Sequence, residues 1–260
     1  MTTVEAGPRK LDLGRVFGDT FGVVRRQATP LIGVSFVLAY LPTLVSGYLS
    51  VYVFRTATPT PGAPFAVFSQ PAATVVTLVV GLFALLALAF QLEVAISDLD
   101  GRSTPVAETL RAALGKVLPI LGASLLVGLG VMLGLVFLIV PGVILGVMWV
   151  VALPVVTADG ANPVRALGRS RILTRGNRWR IFGLSLLVWL VLIICEGLFF
   201  GVAAALGAVG AAGLGIFGLA LSSLINFAFS LLVSVGTAAL YVQLRELKGA
   251  GAESLAQVFA

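Results

Sequence analysis

The chain has no histidine. That single absence removes serine–histidine hydrolases, histidine-ligated zinc and histidine acid–base pairs together. Cysteine is almost missing as well. Cys195 stands alone, so no disulfide can close within the chain and a cysteine metal site lacks ligands; the residue reads as small apolar packing. Charge is the third shortage. Only 11% of the 260 residues are charged and 59% are hydrophobic, against about a quarter and about half in soluble domains. A soluble fold has nowhere to hide that much apolar surface.

What the sequence does contain is a series of apolar runs near 31–54, 73–96, 117–140, 143–158, 181–204 and 214–242. Most match the roughly 20 residues that cross a bilayer, so the expected fold class is an all-α polytopic membrane protein. The first run begins near Leu31, after an amphipathic segment, and is too long for the apolar core of a cleaved signal. It is expected to remain as the first span, with Arg25-Arg26 as a topology anchor rather than a twin-arginine signal.

Charge sets the parity of the spans. Sixteen of the seventeen lysines and arginines fall before Leu31, in 97–116, in 159–180 or after 242; the remaining one is Arg55, in 55–72. The positive-inside rule then expects six spans with both termini in the cytoplasm. Both flanks of 117–158 are basic, so that stretch must cross twice, as a hairpin turning at Pro141-Gly142.

A phrase recurs along the chain: "LIGVSFVL" at 31–38, "ILGASLLV" at 120–127 and "IFGLSLLV" at 181–188. Each copy follows a segment expected to be a short helix lying on the cytoplasmic surface. In the first, Leu13, Val16, Phe17, Phe21, Val23 and Val24 project to one side and Arg15, Asp19, Arg25 and Arg26 to the other. In the second, Val106, Ala107, Leu110, Ala113, Leu114 and Val117 oppose Glu108, Arg111 and Lys116, after a Thr104-Pro105 cap. The third begins at Asn162-Pro163 and sorts less cleanly: Ala166, Leu167, Ser170 and Leu173 lie opposite arginines that share their side with Val164 and Ile172. That mixture is expected to pack on protein as well as lipid.

The unit is thus surface helix, sharp bend, span and return span, three times in parallel, over 11–96, 103–158 and 162–246, with a cytoplasmic tail at 247–260. Gly33 and Ser35, Gly122 and Ser124, and Gly183 and Ser185 are expected to be packing positions, where small residues allow close approach of neighbouring helices.

The stretch "LIVPGVILGVMWVVALPVVTADGANPVRALGRSRILTRGNRWRIFG", 138–183, with the closing "AALYVQLRELKGAG" and "ESLAQVFA", resembles the glycerophosphoryl diester phosphodiesterase membrane-domain family. The resemblance covers essentially the whole chain, with its most specific motifs around 141–180. It implies a six-helix bacterial inner-membrane module, sometimes joined to a soluble phosphodiesterase domain. That soluble enzyme works through histidines and metal-binding carboxylates, so its catalytic role does not carry over to a chain without histidine. Where relatives often place an arginine before the Trp149 position, this chain has Met148.

The candidate sites are polar groups at or within the membrane. Arg165, Arg169, Arg171, Arg175, Arg178 and Arg180, with Asn177 and Trp179, form the densest basic cluster. Guanidinium forks beside an interfacial tryptophan suit anionic lipid headgroups; the plainer reading is a topology determinant. Nucleic acid is not an expected partner, because the cluster is tied to the bilayer and has one aromatic. Ser222, Asn226, Ser230 and Ser234 recur at intervals of four along the last run. Such a stripe lines a hydrated path or glues helices, and glue is the commoner use. Glu196 falls about 22 Å along its helix from Ile181, either as a functional intramembrane carboxylate or as one close enough to the outer interface to reach water. Gln91 and Glu93 lie near a span end where snorkelling is easy. "SDLDGRSTP" at 97–105 invites a metal reading but lacks the rest of a calcium loop, and a solvated turn is expected. Phe65 and Phe68, in the external 55–72 segment, are placed to dip into the outer interface.

No metal set, cofactor site or nucleophile–base pair can be assembled. The expected role is a non-enzymatic module that binds or organises lipid, with membrane lipids, other membrane proteins or further copies of itself as partners. A transporter or channel using the Ser222–Ser234 stripe and Glu196 is the alternative. Topology is directly testable in a Cys195→Ser background. Thr60→Cys and Gly168→Cys should react with a membrane-impermeant thiol reagent from opposite sides of the membrane, and labelling of both from one side would contradict the six-span parity.

Overall fold

The computed structural model describes residues 11–54, 71–102, 105–205 and 215–258. The 55–70 segment that holds Phe65 and Phe68, and Thr104, lie outside the described residues. Among the described residues the chain is helical with no strand. Six helical segments are long and apolar enough to cross a membrane: Ala28–Val53, Pro71–Leu99, Val106–Phe137, Ile139–Asp159, Arg178–Val202 and Gly215–Gly249. This is a multi-pass membrane protein, and each expected apolar run lies within one of these spans to within three residues at its ends.

The chain opens with α1 (Leu13–Arg26), started by Asp12, whose carboxylate accepts hydrogen bonds from the Gly14 and Arg15 amides. Its apolar arc divides in two. Val16, Thr20 and Val23 are buried in the protein, whereas Phe21 stays exposed beside the half-buried Leu13, Phe17 and Val24. After Gln27 the first span, α2 (Ala28–Val53), contains two widened turns, Phe36–Tyr40 and Leu49–Val53. Pro42 directly follows the first and cannot donate a backbone hydrogen bond, so the wide turn takes up the local mismatch.

The second span is α3 (Pro71–Leu99). The third, α4 (Val106–Phe137), runs unbroken through Pro119, and this corrects the expectation of a separate surface helix and sharp bend in the second unit. Its amphipathic start simply continues into the span. Leu138, in extended conformation, joins it to α5 (Ile139–Trp149). The hairpin therefore turns at Leu138, not at Pro141-Gly142. The reason is local: proline is tolerated in the first turn of a helix, where its missing N–H would have no partner, and Pro141 sits there.

Gly142 instead serves the closure of the hairpin. A Cβ on Gly134 would lie 2.8 Å from the Gly142 Cα, and one on Gly142 would lie 2.5 Å from Leu135 Cγ. One turn further in, a Cβ on Gly130 would meet the Trp149 ring at 2.3 Å. Gly134 and Gly142 thus let the two helices touch at backbone distance, and Gly130 makes room for the Trp149 ring.

After α5 the span breaks at Val150-Val151 and resumes as α6 (Ala152–Asp159). Pro154 causes the break, since its ring excludes the carbonyl of Val150 and it offers no N–H. The chain then forms α7 (Pro163–Thr174), which Asn162 caps by accepting from the Val164 amide, as the Asn162-Pro163 pair predicts. Gly176, at φ 93°, turns it into α8 (Arg178–Ala205). The last helix, α9 (Gly215–Val258), runs on through the segment expected to be a separate tail.

Burial is polarised along the spans. On α3 the buried positions other than Ala73 run from Ala87 to Ser97; on α6 they are Ala152 to Thr157; on α9 they concentrate from Leu231 to Leu244. These are the ends nearest the basic segments, so one core ties together the basic ends of α3, α4, α6 and α9 with α1. The opposite halves stay open to lipid.

The recurring octets share one environment and differ in another. Their first residues, Leu31, Ile120 and Ile181, are each fully buried. Their glycines are not equivalent: a Cβ on Gly122 would come 3.1 Å from the Pro163 ring, but Gly33 and Gly183 face open space, so close approach holds for Gly122 alone. Ser124 bonds its own helix at the Leu121 carbonyl, Ser35 is buried, and Ser185 is half-buried. We predict that Gly134→Leu destabilises the protein by about 1–3 kcal/mol through overpacking, whereas Gly81→Leu, in open space, changes stability by under ~0.5 kcal/mol. Unfolding in detergent by steric trapping distinguishes them, and equal effects would contradict the hairpin seam.

Candidate functional site: the basic face

Asp19, Glu93, Asp98, Asp100, Asp159 and Glu246, near the basic ends of the spans, are held in interhelical bonds. Asp98, only 9% exposed, accepts from Arg26 at 3.0 Å (Nε) and 2.6 Å (Nη2) and from Gln27 at 2.9 Å. This hydrogen-bonded pair pushes the Arg26 guanidinium above its ordinary value and keeps it charged. The segment expected to be a solvated turn is therefore an anchor between α1 and α3. Asp100 holds Arg102 at 3.0 Å and also Arg245 of α9. Glu93 holds Lys116 at 2.5 Å, joining α3 to α4, so Glu93 does not merely snorkel.

The same pattern fastens α1 and α7. Arg15 pairs with Glu246 at 3.0 Å, and Gln243 donates to Asp19 at 3.3 Å. Asp159, at the end of α6, accepts the Tyr241 hydroxyl at 3.1 Å and pairs with Arg169 at 2.7 Å. Below it, the break before α6 leaves the Met148 carbonyl open. The buried Ser170 donates to it at 2.8 Å and Thr174 at 3.5 Å. The small side of α7, with Ala166, Ser170, Leu173 and Thr174 buried, is thus its protein face.

These bonds sort the arginine cluster. Arg169 is held by Asp159, Arg180 donates to the Leu11 carbonyl at 2.5 Å, and Asn177 accepts from the Leu11 amide at 3.3 Å. Arg165, Arg171, Arg175 and Arg178 form no ion pair among the described residues. On a helical projection the exposed arc of α7 runs from Arg171 through Val164, Gly168 and Ile172 to Arg165 and Arg169. Val164 and Ile172 are 69% and 65% exposed, and Trp179, just beyond, is 86% exposed. An open groove beside this arc is lined by Asp159, Ala161, Arg165, Gly168, Arg169 and Ile172. Exposed apolar residues thus lie beside guanidinium groups that have no ion pair among the described residues, a pattern that suits a membrane interface.

The intramembrane polar residues do not share one wall. Ser234 is buried and donates to Gln91, a link between α9 and α3 that also accounts for the buried Gln91. Asn226 is exposed and donates to Glu196 at 2.9 Å and to the Ser222 carbonyl at 3.0 Å. Ser222 bonds its own helix at Leu219, and Ser230 is exposed. No group of three or more metal-ligating side chains occurs among the described residues.

The anchors Asp98 and Asp100, the pair Glu93–Lys116, and Ser170 with Thr174 are the functional-face residues that periodicity alone does not single out. The available signal was the Pro154 break: a carbonyl freed near a hydroxyl-bearing helix needs a donor. No family model, curated protein or solved structure matches this chain. A Ser170→Ala/Thr174→Val variant should lose about 1–3 kcal/mol, because the buried Met148 carbonyl is left unpaired. Hydrogen exchange of the α7 amides should rise with it, and unchanged protection would contradict the docking of α7 through that carbonyl.

Proposed function

We propose that this protein is a non-enzymatic membrane module whose basic face binds anionic lipid headgroups, seated in a bacterial inner membrane with both termini in the cytoplasm. One observation carries the reading: the exposed arc of α7 presents Arg165 and Arg171, with Arg175 just past its last residue, around the exposed apolar Val164 and Ile172, and none of the three arginines is ion-paired among the described residues. An amphipathic helix at the membrane surface with its acids already spent attracts phosphates, each nearby cation contributing about 1 kcal/mol. The exposed Phe21 of α1 and Leu114 of α4 extend the same face with apolar contacts for lipid.

The sidedness rests on the charge asymmetry of the loops. The same reading includes the threefold duplication, supported by the recurring octets and the shared burial of Leu31, Ile120 and Ile181, and a relationship to the glycerophosphoryl diester phosphodiesterase membrane-domain family, supported by the sequence at 138–183 and at the close of the chain. The module's partners would be anionic lipids and, through them, other membrane proteins.

Native mass spectrometry of protein released from nanodiscs of mixed phosphatidylglycerol and phosphatidylcholine tests the reading. The Arg165→Gln/Arg171→Gln/Arg175→Gln variant should retain phosphatidylglycerol with affinity lower by about tenfold or more, with phosphatidylcholine retention unchanged. Equal retention of phosphatidylglycerol by variant and wild type would overturn it.

A further inference from the structure

Where the start of α2 meets the end of α3 and the start of α4, the packed helices leave a small cavity of about 70 Å³. The α7 surface takes no part in it. Its deep wall includes Val94, Ser97 and Thr109, which are 8%, 4% and 3% exposed, and the Asp98 side chain, which is 9% exposed. Arg102 and Val106, both exposed, stand at its rim. The end of α3 builds this mixture: Gly101, at φ 72°, reverses the chain, so that its amide donates to the Asp98 carbonyl at 3.1 Å and the Arg102 amide to the Ser97 carbonyl at 2.8 Å. A deeply buried hydroxyl and an exposed guanidinium thus line one space.

The polar groups of this cavity are not all spent. The Ser97 hydroxyl has no hydrogen-bond partner among the described residues, although a hydroxyl so deeply buried ordinarily has one. Asp98 accepts twice on Oδ2, from Arg26, and once on Oδ1, from Gln27, so Oδ1 keeps a further acceptor position. Arg102 donates to Asp100 through Nη2 and has four more N–H groups. The cavity therefore calls for donors in its depth and an anion at its mouth. Water meets only the first need. Because Asp98 already faces Arg26, and Arg102 already faces Asp100, a lone cation or a lone anion would bring uncompensated charge. A zwitterion brings none.

We infer that this cavity takes the aminoethyl phosphate headgroup of phosphatidylethanolamine, with its ammonium at Asp98 Oδ1 and Ser97 Oγ and its phosphate at Arg102. A primary ammonium offers three N–H donors on a narrow stem, whereas the trimethylammonium of phosphatidylcholine is wider and has none. Glycerol headgroups bring no cation for the carboxylate. Position selects a lipid over a soluble ester: three spans begin or end here, and Pro30 and Val106 give the cavity apolar residues beside which the glycerol and first acyl carbons can lie. The site is separate from the α7 arginines, and the inference does not depend on the anionic-lipid reading.

Native mass spectrometry of the full-length protein released from nanodiscs of equal phosphatidylethanolamine and phosphatidylcholine tests it, since neither lipid has a net charge and general electrostatics cancel. Wild type should retain phosphatidylethanolamine with about tenfold preference. Ser97→Val, which fills the cavity and removes the hydroxyl, should bring the two lipids close to parity. Arg102→Gln, at the exposed rim, covers a Ser97 variant that fails to fold and should lower the preference about threefold or more. The Arg165→Gln/Arg171→Gln/Arg175→Gln variant should keep the preference, so the two lipid readings fail separately. Excess soluble phosphoethanolamine should leave the retained lipid in place. Equal retention of both lipids by wild type, an undiminished preference in either folded variant, or displacement by the soluble ester overturns the assignment.

Discussion

Hydrocarbon offers no hydrogen bond, and the arrangement of this molecule follows from that constraint. Polar side chains on the spans have to find one another or reach an interface. Most do so at one end, the Glu196–Asn226 pair lying toward the other. Glu93 with Lys116, Gln91 with Ser234, Tyr241 with Asp159 and Arg245 with Asp100 all tie spans together near the basic ends of the helices. The same region holds the fully buried Phe90, Ile120, Val155 and Leu244. Core and ion pairs coincide because partly buried charges are screened least and held most rigidly where apolar packing fixes both partners.

The consequence for function is electrostatic. Each acid used between helices is unavailable to the surface arginines. With Asp98, Asp100, Asp159, Asp19 and Glu246 held in bonds of their own, Arg165, Arg171 and Arg175, at and just beyond the exposed edge of α7, have no ion-pair partner among the described residues. The helix is held down from behind: Ser170 and Thr174 satisfy the Met148 carbonyl at the break before α6, and Asp159 fixes Arg169. A helix fastened on its inner face keeps its outer face fixed in direction, so the cationic edge is preorganised rather than mobile.

Much of this was legible in the sequence. Span number follows from apolar length, the Asn162 cap from residue type, and the buried side of α7 from its small residues. The hairpin turn was misplaced because proline marks turns only when it cannot be absorbed into a first helical turn, and Pro141 can. The second surface helix was drawn as separate because the period changes from amphipathic to wholly apolar near Lys116; a helix tolerates that change without bending. The glycine of the recurring octet predicts packing in all three copies, yet a glycine reports contact only when a helix faces it, which holds for Gly122 and not for Gly33 or Gly183. Of the glycines that do close helices, Gly130, Gly134 and Gly142, the Gly130/Gly134 pair carries a readable spacing signal. Which arginines are paired was not legible, because Asp98, Asp100 and Asp159 come from distant segments.

The central claim is that the exposed edge of α7 rests in the membrane interface. A spin label attached through Ile172→Cys, in the Cys195→Ser protein reconstituted with anionic lipid, measures this by power saturation. The account predicts high accessibility to dissolved oxygen and low accessibility to a water-soluble nickel chelate, the signature of the headgroup–acyl boundary. Accessibility to the chelate equal to that of a solvent-exposed site would place α7 in water and contradict it.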